Sequence, residues 1–412
     1  MGGALAPREA AIEIARTLSR AGHVAYLAGG CVRDELLGLV PKDFDIATSA
    51  TPDEVKALYP KARGVGEAFG VMLVRCGGQT VEVATFREDL EYVDGRRPSG
   101  IRFADARADA LRRDFTINGI FRDATTEAIV DFVGGEADLR ARVVRAIGDP
   151  HERIREDRLR MLRAVRFTAR LGFSLDEATA RAIRAHAGEL ASVSAERVGD
   201  ELRRMLAHPG RTRAAGWIEE LGLDAAVFGE RATPHAWRRL EGLASDAEPA
   251  IALAAWWLDR AEGQGAARPS AGAIAAQAAE FRRRLTLSNH ELALFEELLG
   301  RREELLSGFE SLPKSAQVRL VSRPGFDAAI AVLSGEMPVE SARFLARANE
   351  ICPERRLPTA LVDGNDLVRS GLRPGPGFKA VLDATLDRQI EGDFTDRDAA
   401  LRFALEAARG SA

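Results

Sequence analysis

Only three cysteines, Cys31, Cys76 and Cys352, occur in 412 residues, far apart and with no C-x-x-C pair. That argues against a disulfide framework and a thiolate metal site, and makes the cytoplasm the expected compartment. Lysine is also scarce. Lys42, Lys56, Lys61, Lys314 and Lys379 are the whole supply, so arginine carries nearly all of the positive charge. No apolar run reaches the ~18 residues that would span a bilayer. The first twenty residues contain Glu9 and Glu13 among alanines and arginines. A secretory leader would be an apolar block and a transit peptide would lack acids, so neither is expected. There is no His-Asp dipeptide, which argues against a fused phosphohydrolase of the histidine-aspartate type, and no fixed-period repeat. The six histidines, His23, His151, His186, His208, His235 and His290, show no ligand spacing and read as structural or surface residues.

What is present is the composition of an ordinary folded protein, 46% hydrophobic and 29% charged. At roughly 150 residues per domain the length predicts two or three domains, enough to bury a core without staples. A net charge of −4 argues on average against a nucleic-acid partner. The average hides a local bias: residues 140–170 hold ten arginines against Asp149, Glu152, Glu156 and Asp157. A GC-rich genome would account for the number of arginines, not for this placement. A basic segment in an acidic chain is a candidate footprint for phosphates.

Hydrophobic periodicity predicts a helix over 8–21, a short strand over 23–28 broken by Gly29-Gly30, and a helix from about Val32 to Gly38. Strands follow at 44–47, 71–75 and 80–86, the last two joined by a Gly77-Gly78 hairpin, with further strands at 101–103 and 128–132. After Gly148 the β signal vanishes and helices continue to the C-terminus. Residues 262–272 form the best internal linker candidate. The expected fold is therefore α+β, a mixed-sheet head over residues 1–147 followed by a long helical body. Trp217, Trp237, Trp256 and Trp257 read as core anchors of that body.

Three constellations carry chemistry. In the first, Gly29-Gly30 at a strand-to-helix turn lets backbone N–H groups approach an anion, and Arg33 on the first helical turn can reach the same phosphate. Asp43 and Asp45 alternate with Phe44 and Ile46, so both carboxylates project from one face of a strand. Two like charges placed so closely suit a divalent cation with phosphate substrates. Glu82, on a strand that could neighbour this one, is a possible third carboxylate.

The second constellation is Arg112-Arg113-Asp114-Phe115-Thr116-Ile117-Asn118, in which one arginine could pair with Asp114 while the other faces a phosphate. Before it lies a polar loop, residues 92–98. The third is the run from Glu156 to Phe167. There Asp157, Arg160, Arg163 and Arg166 recur every three residues beside an apolar stripe of Leu159, Leu162 and Val165. Arginine exceeds acid on this stretch, which would leave positive charge unpaired and suit a triphosphate.

In order along the chain, Gly-Gly-Cys-Val-Arg-Asp, Asp43-Phe44-Asp45, Arg-Arg-Asp-Phe-Thr-Ile-Asn, the stretch from Asp131 to Leu139 and Glu156-Asp157-x-x-Arg160 form a series. It resembles the motif series of the class II tRNA nucleotidyltransferases, the CCA-adding enzymes, and of their relatives the bacterial poly(A) polymerases. The match is specific over residues 25–206 and looser beyond. The resemblance implies a polymerase-β-like nucleotidyltransferase head, a helical neck at 148–210 that recognises the nucleotide base, a body at 211–300 and a tRNA-binding tail at 301–412. It implies two Mg²⁺ ions held by Asp43 and Asp45, with CTP, ATP and the tRNA 3′ end as partners; no membrane and no protein partner is implied. Triphosphate contacts would come from Gly30, Arg33, one or both of Arg112 and Arg113, Arg163 and Arg166. Gly29, Asp114 and Asn118 of the same motifs join the nucleotide-binding set.

Base choice follows from donor–acceptor patterns. Cytosine and adenine both present an amino donor beside a ring-nitrogen acceptor, whereas uracil and guanine present a carbonyl beside an N–H. A carboxylate next to a guanidinium, Asp157 and Arg160, matches the first pair only. Poly(A) polymerases of the family carry a G-[RK]-[RK]-F element, and the corresponding stretch here, residues 65–70, lacks both basic residues. The full-length loop at 92–98 disfavours an enzyme that adds only CC. An A-only enzyme remains a further alternative, and retention of both Asp43 and Asp45 argues against a non-catalytic RNA binder.

Overall fold

The structure, a computed structural model, describes residues 5–65, 70–90, 100–266, 268–375 and 377–410. The loop expected at 92–98 and most of the 65–70 stretch lie outside these. The chain divides into two compact units, Met1–Arg231 and Ala232–Ala412.

The first unit opens with α1 (Pro7–Arg20), started by a proline whose missing N–H would have no intrahelical partner at that position. Ala10, Ala11, Ile14, Ala15 and Leu18 form its buried stripe. Then come β1 (Ala25–Ala28), α2 (Gly30–Leu36), β2 (Asp45–Thr48), α3 (Pro52–Leu58), β3 (Arg63–Gly64), β4 (Val71–Cys76) and β5 (Gln79–Thr85). A short ribbon of β6 (Arg87–Asp89) and β7 (Ile101–Phe103) precedes α4 (Ala106–Leu111), β8 (Ile120–Asp123), β9 (Ile129–Asp131), α5 (Gly135–Ala141) and β10 (Val143–Val144).

Seven strands form one sheet in the order β3-β4-β5-β2-β1-β8-β9. It is mixed as expected: β2 and β5 run parallel, and the other pairings are antiparallel. The parallel register sets Asp45 directly opposite Glu82. β8 was not foreseen, because only Ile120 and Phe121 of its four residues are apolar and buried. Phe121 and Phe86 meet edge to face at 6.1 Å, with Tyr26 beside both. Burying each phenylalanine is worth about 1.5–3 kcal/mol, and the cluster packs with Ala28 at the end of β1 and Ala47 on β2.

Helices α6 (Pro150–Glu156) and α7 (Arg160–Leu171) follow, then β11 (Ser174–Leu175), α8 (Glu177–His186), α9 (Ala195–Leu206), α10 (Arg211–Glu220) and α11 (Asp224–Phe228). The expectation that β structure ends before Gly148 needs correcting. β11 pairs in parallel with β10, because the α7 helix stops at left-handed Gly172 and returns the chain alongside Val143.

The second unit is helical throughout its described elements: α12 (Arg238–Glu241), α13 (Pro249–Gly263), α14 (Ala271–Leu285), α15 (Asn289–Leu306), α16 (Lys314–Val321), α17 (Phe326–Glu336), α18 (Pro338–Ile351), α19 (Gly364–Arg369), α20 (Gly377–Glu391) and α21 (Arg397–Gly410). The linker expected at 262–272 joins α13 to α14 inside this unit. The boundary between units falls earlier, at Arg231 and Ala232. Of the four tryptophans, Trp256 is wholly buried; Trp217, Trp237 and Trp257 are half-buried. Arg239 and Arg302, both buried, converge on Glu336 at 2.9 and 2.8 Å and tie three helices together.

Candidate active site

Gly29 follows β1 and caps α2 at φ +73°, a backbone conformation that side chains rarely tolerate, and a Cβ there would meet Arg113 Nη1 at 2.9 Å. The turn therefore brings the α2 N-terminus and Arg113 to the same place. Arg33, buried one turn into α2, donates from Nη1 to Asn118 Oδ1 at 2.6 Å and from Nε to Asp34 Oδ1 at 2.8 Å. Asn118 in turn donates to Asp114 Oδ1 at 2.9 Å, and Asp114 Oδ2 accepts from Arg163 Nε at 2.8 Å. A single hydrogen-bonded line thus runs from α2 through the 116–118 turn to α7.

That turn is supported from behind. Thr116 donates to Asp138 at 2.7 Å, and Gly135 lies so close that a Cβ would sit 2.2 Å from the Thr116 carbonyl oxygen. The 131–139 motif is the bed on which the turn carrying Asn118 rests.

The cleft over this line has a volume of about 700 Å³. Gly29, Gly30, Arg33, Arg112, Arg113, Asp114, Asn118, Asp157, Arg160, Arg163 and Arg166, every nucleotide-binding candidate from the sequence, line it together with Asp45. Arg87, Asp89, Phe167 and Arg170 also line it and were not singled out by sequence reasoning. Phe167 closed the third motif, and Arg170 continued its arginine stripe by one turn; those were the available signals.

The pairing inside the cleft differs from expectation. Arg112 and Arg113 do not use Asp114. Both bind Asp109, Arg112 through Oδ1 at 2.6 Å and Arg113 through Oδ2 at 3.0 Å. Asp109 lies three and four residues before them, the helical spacing that makes such pairs, and it is buried. Burial works to raise the Asp109 pKa, but the two guanidiniums outweigh it and hold the carboxyl below its usual range. Asp114 is held at about 2: burial again opposes, and the charge of Arg163 with hydrogen bonds from Asn118, Arg163 and the Phe115 N–H prevails.

The expectation of unpaired arginine charge is likewise overturned. Arg160 bonds Glu156 at 2.6 Å, Arg163 bonds Asp114, and Arg166 bonds Glu201 at 2.6 Å. Glu156 stands at helical i,i+4 spacing from Arg160 and was legible as its partner, whereas Glu201 was not, because it comes 35 residues after Arg166, on α9.

Asp157 and Arg160 do not share a helix. α6 ends at Glu156 and Asp157 is extended, at φ −144°, its carboxylate accepting from the Leu159 N–H at 3.1 Å. This local side-chain bond offers the backbone an alternative to continuing the helix. Asp157 is held by Arg197 at 2.9 Å, not by Arg160.

A second cleft of about 400 Å³ shares Asp45 as a wall and is lined by Asp43 and Glu82 as well. Asp43 and Asp45 are exposed while Phe44 and Ile46 between and after them are buried, the expected alternation, although the strand itself begins only at Asp45. Glu82 is exposed beside Asp45 on the neighbouring strand. Although its side chain reaches solvent on the strand face, Asp45 sits among enough cleft atoms to lose part of its hydration. It is pushed up to about 6 first by that desolvation, then by Glu82 and Asp43, with Arg113 opposing. Three carboxylates face Lys42 in this cleft, with Arg113 acting on Asp45 from the other side, and the candidate donors are all hard carboxylate oxygens, a set suited to a divalent cation. Among the described residues no trio of such groups is already placed to hold a metal ion. Magnesium does not require one, since water and substrate phosphates usually complete its shell.

Among the described residues no helix is long and apolar enough to cross a membrane. His151 and His186 meet at 3.1 Å, with Glu189 accepting from or pairing with His186 at 2.6 Å, in a brace between α6 and α8.

The sequence model of the Poly A polymerase head domain matches residues 25–145, and that described as the probable RNA and SrmB-binding site of polymerase A matches residues 172–231. A CCA-adding enzyme of Geobacillus thermodenitrificans is 45% identical over 224 residues, 54% of this chain and 55% of that protein. The match thus spans about half the length of such relatives. A CCA-adding enzyme of Lacticaseibacillus paracasei is 32% identical over 409 residues, covering 93% of this chain and 92% of its own length. The fold is similar to the crystal structure of the Bacillus stearothermophilus CCA-adding enzyme in complex with CTP, with a TM-score of 0.78, 28% identity and 99% of each chain covered.

Proposed function

Because the chain belongs to the CCA-adding enzyme family, we propose that it adds CCA, without a nucleic-acid template, to the 3′ end of tRNA from CTP and ATP. The observation that carries this reading is the convergence of all eleven nucleotide-binding candidates on one cleft whose wall, Asp45, also belongs to the carboxylate face.

In this reading the Gly29-Gly30 turn, Arg33, Arg112, Arg113, Arg163 and Arg166 orient the triphosphate through charge-assisted hydrogen bonds. Asp43 and Asp45, with Glu82 beside them, would hold two magnesium ions. When bound, these supply the charge that activates the RNA 3′-hydroxyl for in-line attack and neutralises the departing pyrophosphate. Asp114 and Asn118 keep Arg33 and Arg163 aimed. Asp157 accepts from the exocyclic amino group of C or A, and Arg160 donates to the adjacent ring nitrogen. Arg197 anchors Asp157 and Glu156 anchors Arg160, so each of the two side chains is positioned by a partner of its own.

The helical neck at 148–210 reads the base, and the body at 211–300 and tail at 301–412 hold tRNA by the shape of its backbone. The compartment is the cytoplasm, where tRNA is processed with free thiols. Incubation with tRNA lacking its last three nucleotides tests the function. CTP alone should extend it by two residues, and CTP with ATP by three. Long A-tracts would instead identify a poly(A) polymerase, and addition only to tRNA already ending in CC an A-adding enzyme.

A further inference from the structure

The cleft-lining side of α7 presents Arg160, Arg163, Arg166 and Arg170 in succession. At 1.5 Å per residue, Arg160 and Arg170 stand about 15 Å apart along the helix axis. That is comparable with an extended nucleoside triphosphate from its base to its last phosphate.

The polarity of this ruler is set by what lies at each end. Asp157 flanks Arg160. At the other end Arg170 and Arg33 share one carboxylate, Asp34, and Arg33 adjoins the Gly29-Gly30 anion turn. The phosphate end of the cleft is therefore the Arg170 end.

Arg170 is also held differently from its neighbours. Arg160 and Arg166 each make a 2.6 Å ion pair. Arg170 makes a 3.3 Å hydrogen bond from Nη2 to Asp34 Oδ2, while Asp34 Oδ1 is already taken by Arg33 at 2.6 Å. Its side chain remains 34% exposed, close to the 32% of Arg163 and above the 10% of Arg160 and 12% of Arg166, but Arg163 is locked by a short two-point pair with Asp114 and Arg170 is not. A long guanidinium on a weak tether can exchange a carboxylate oxygen for a phosphate oxygen without leaving Asp34 uncompensated, because Arg33 stays in place.

We infer that Arg170 binds the terminal phosphate of the incoming nucleotide and so distinguishes triphosphates from diphosphates. The inference rests on the reading of this cleft as the nucleotide site. Arg170 then stays with the pyrophosphate when the α-phosphate is transferred, and it lies too far along α7 to touch the base, so it acts equally on CTP and ATP.

Equilibrium titration of the full chain with ATP, ADP, CTP and CDP in magnesium tests it. Arg170→Gln should weaken ATP and CTP by about tenfold, the scale of one charge-assisted hydrogen bond, and ADP and CDP by less than about twofold. Arg170→Lys, which keeps the charge, should recover part of the triphosphate preference. Equal losses for triphosphates and diphosphates in Arg170→Gln, or unchanged ATP binding, would overturn the assignment. So would a loss confined to tRNA affinity, which would place an RNA backbone phosphate there. If the unaltered chain bound none of the four nucleotides, the reading of the cleft itself would fail, and that result is distinct from the others.

Discussion

Arg33 and Asn118, 85 residues apart in the chain, are joined by a 2.6 Å hydrogen bond from guanidinium Nη1 to amide Oδ1. Because Asn118 also donates to Asp114, its amide has a fixed orientation, oxygen toward Arg33 and nitrogen toward the carboxylate. Asn118→Asp would place a second carboxylate against Asp114. It should raise KM for CTP and ATP together, while Asn118→Gln, longer by one methylene, disturbs both bonds. Steady-state kinetics with each nucleotide check this; a loss confined to one nucleotide would contradict it.

Asp109 neutralises two arginines from a buried position. Asp109→Asn leaves both guanidiniums without their carboxylate. Unfolding in urea should show a loss of about 3–5 kcal/mol, the usual cost of breaking a buried ion pair. Asp109→Ala combined with Arg112→Met should recover part of it.

The carboxyl of Asp114, near 2 when folded against an ordinary 3.8, gives stability a defined pH dependence. Its folded pKa is depressed, so the contribution is fully present above about pH 4 and is lost as pH falls toward 2. The size is about 2 kcal/mol. The stability difference between the unaltered chain and Asp114→Asn should therefore be constant from pH 5 to 7 and shrink below pH 4. A difference that instead grew on acidification would rule out this linkage.

Asp43→Ala and Asp45→Ala should each reduce nucleotide transfer by at least about a hundredfold, with thermal unfolding and tRNA affinity nearly unchanged. Glu82→Gln should fall between these and full activity if it is the third carboxylate. Incorporation of labelled CTP onto tRNA lacking its 3′ end gives the measurement, and normal turnover in the Asp45 variant would remove the metal assignment.

For base choice, Asp157→Ala and Arg160→Ala should admit UTP or GTP, since each removes a hydrogen bond worth roughly 1–3 kcal/mol when its partner is left unsatisfied. Single-nucleotide incorporation of all four NTPs reads this directly. Selectivity intact in both variants would move base recognition elsewhere, the loop at 92–98 being the next candidate.

How much of this was legible in the sequence depends on the range of each interaction. The glycine turn, the Asp43–Asp45 alternation and the arginine stripe are local patterns, and the structure keeps them close to where periodicity put them. The facing of Glu82 was legible, but its position opposite Asp45 depends on β2 and β5 pairing in parallel across a long crossover, which no local pattern encodes. The same applies to Glu201 and Arg197, whose roles exist only once α9 packs beside α7. Asp157 failed for another reason: three-residue spacing looks helical, while a single side-chain bond to the Leu159 N–H accompanies a break in the helix. Asp109 could have been found, since its spacing to Arg112 and Arg113 is helical, but Asp114 was nearer in sequence.

The carboxylates behind the cleft have a consequence for how ligand binding divides between enthalpy and entropy. An arginine side chain free in water gives up about 2 kcal/mol of rotamer entropy when it is fixed. Here Arg33, Arg112, Arg113, Arg160, Arg163 and Arg166 are already fixed by Asp34, Asp109, Glu156, Asp114 and Glu201, so that ordering is completed when the chain folds. A polyphosphate entering the cleft meets guanidiniums whose remaining N–H groups are stationary, and the calorimetric signature of its binding should carry little side-chain ordering from them. Arg170, on its looser tether, is the member of the α7 row whose ordering is left to the ligand.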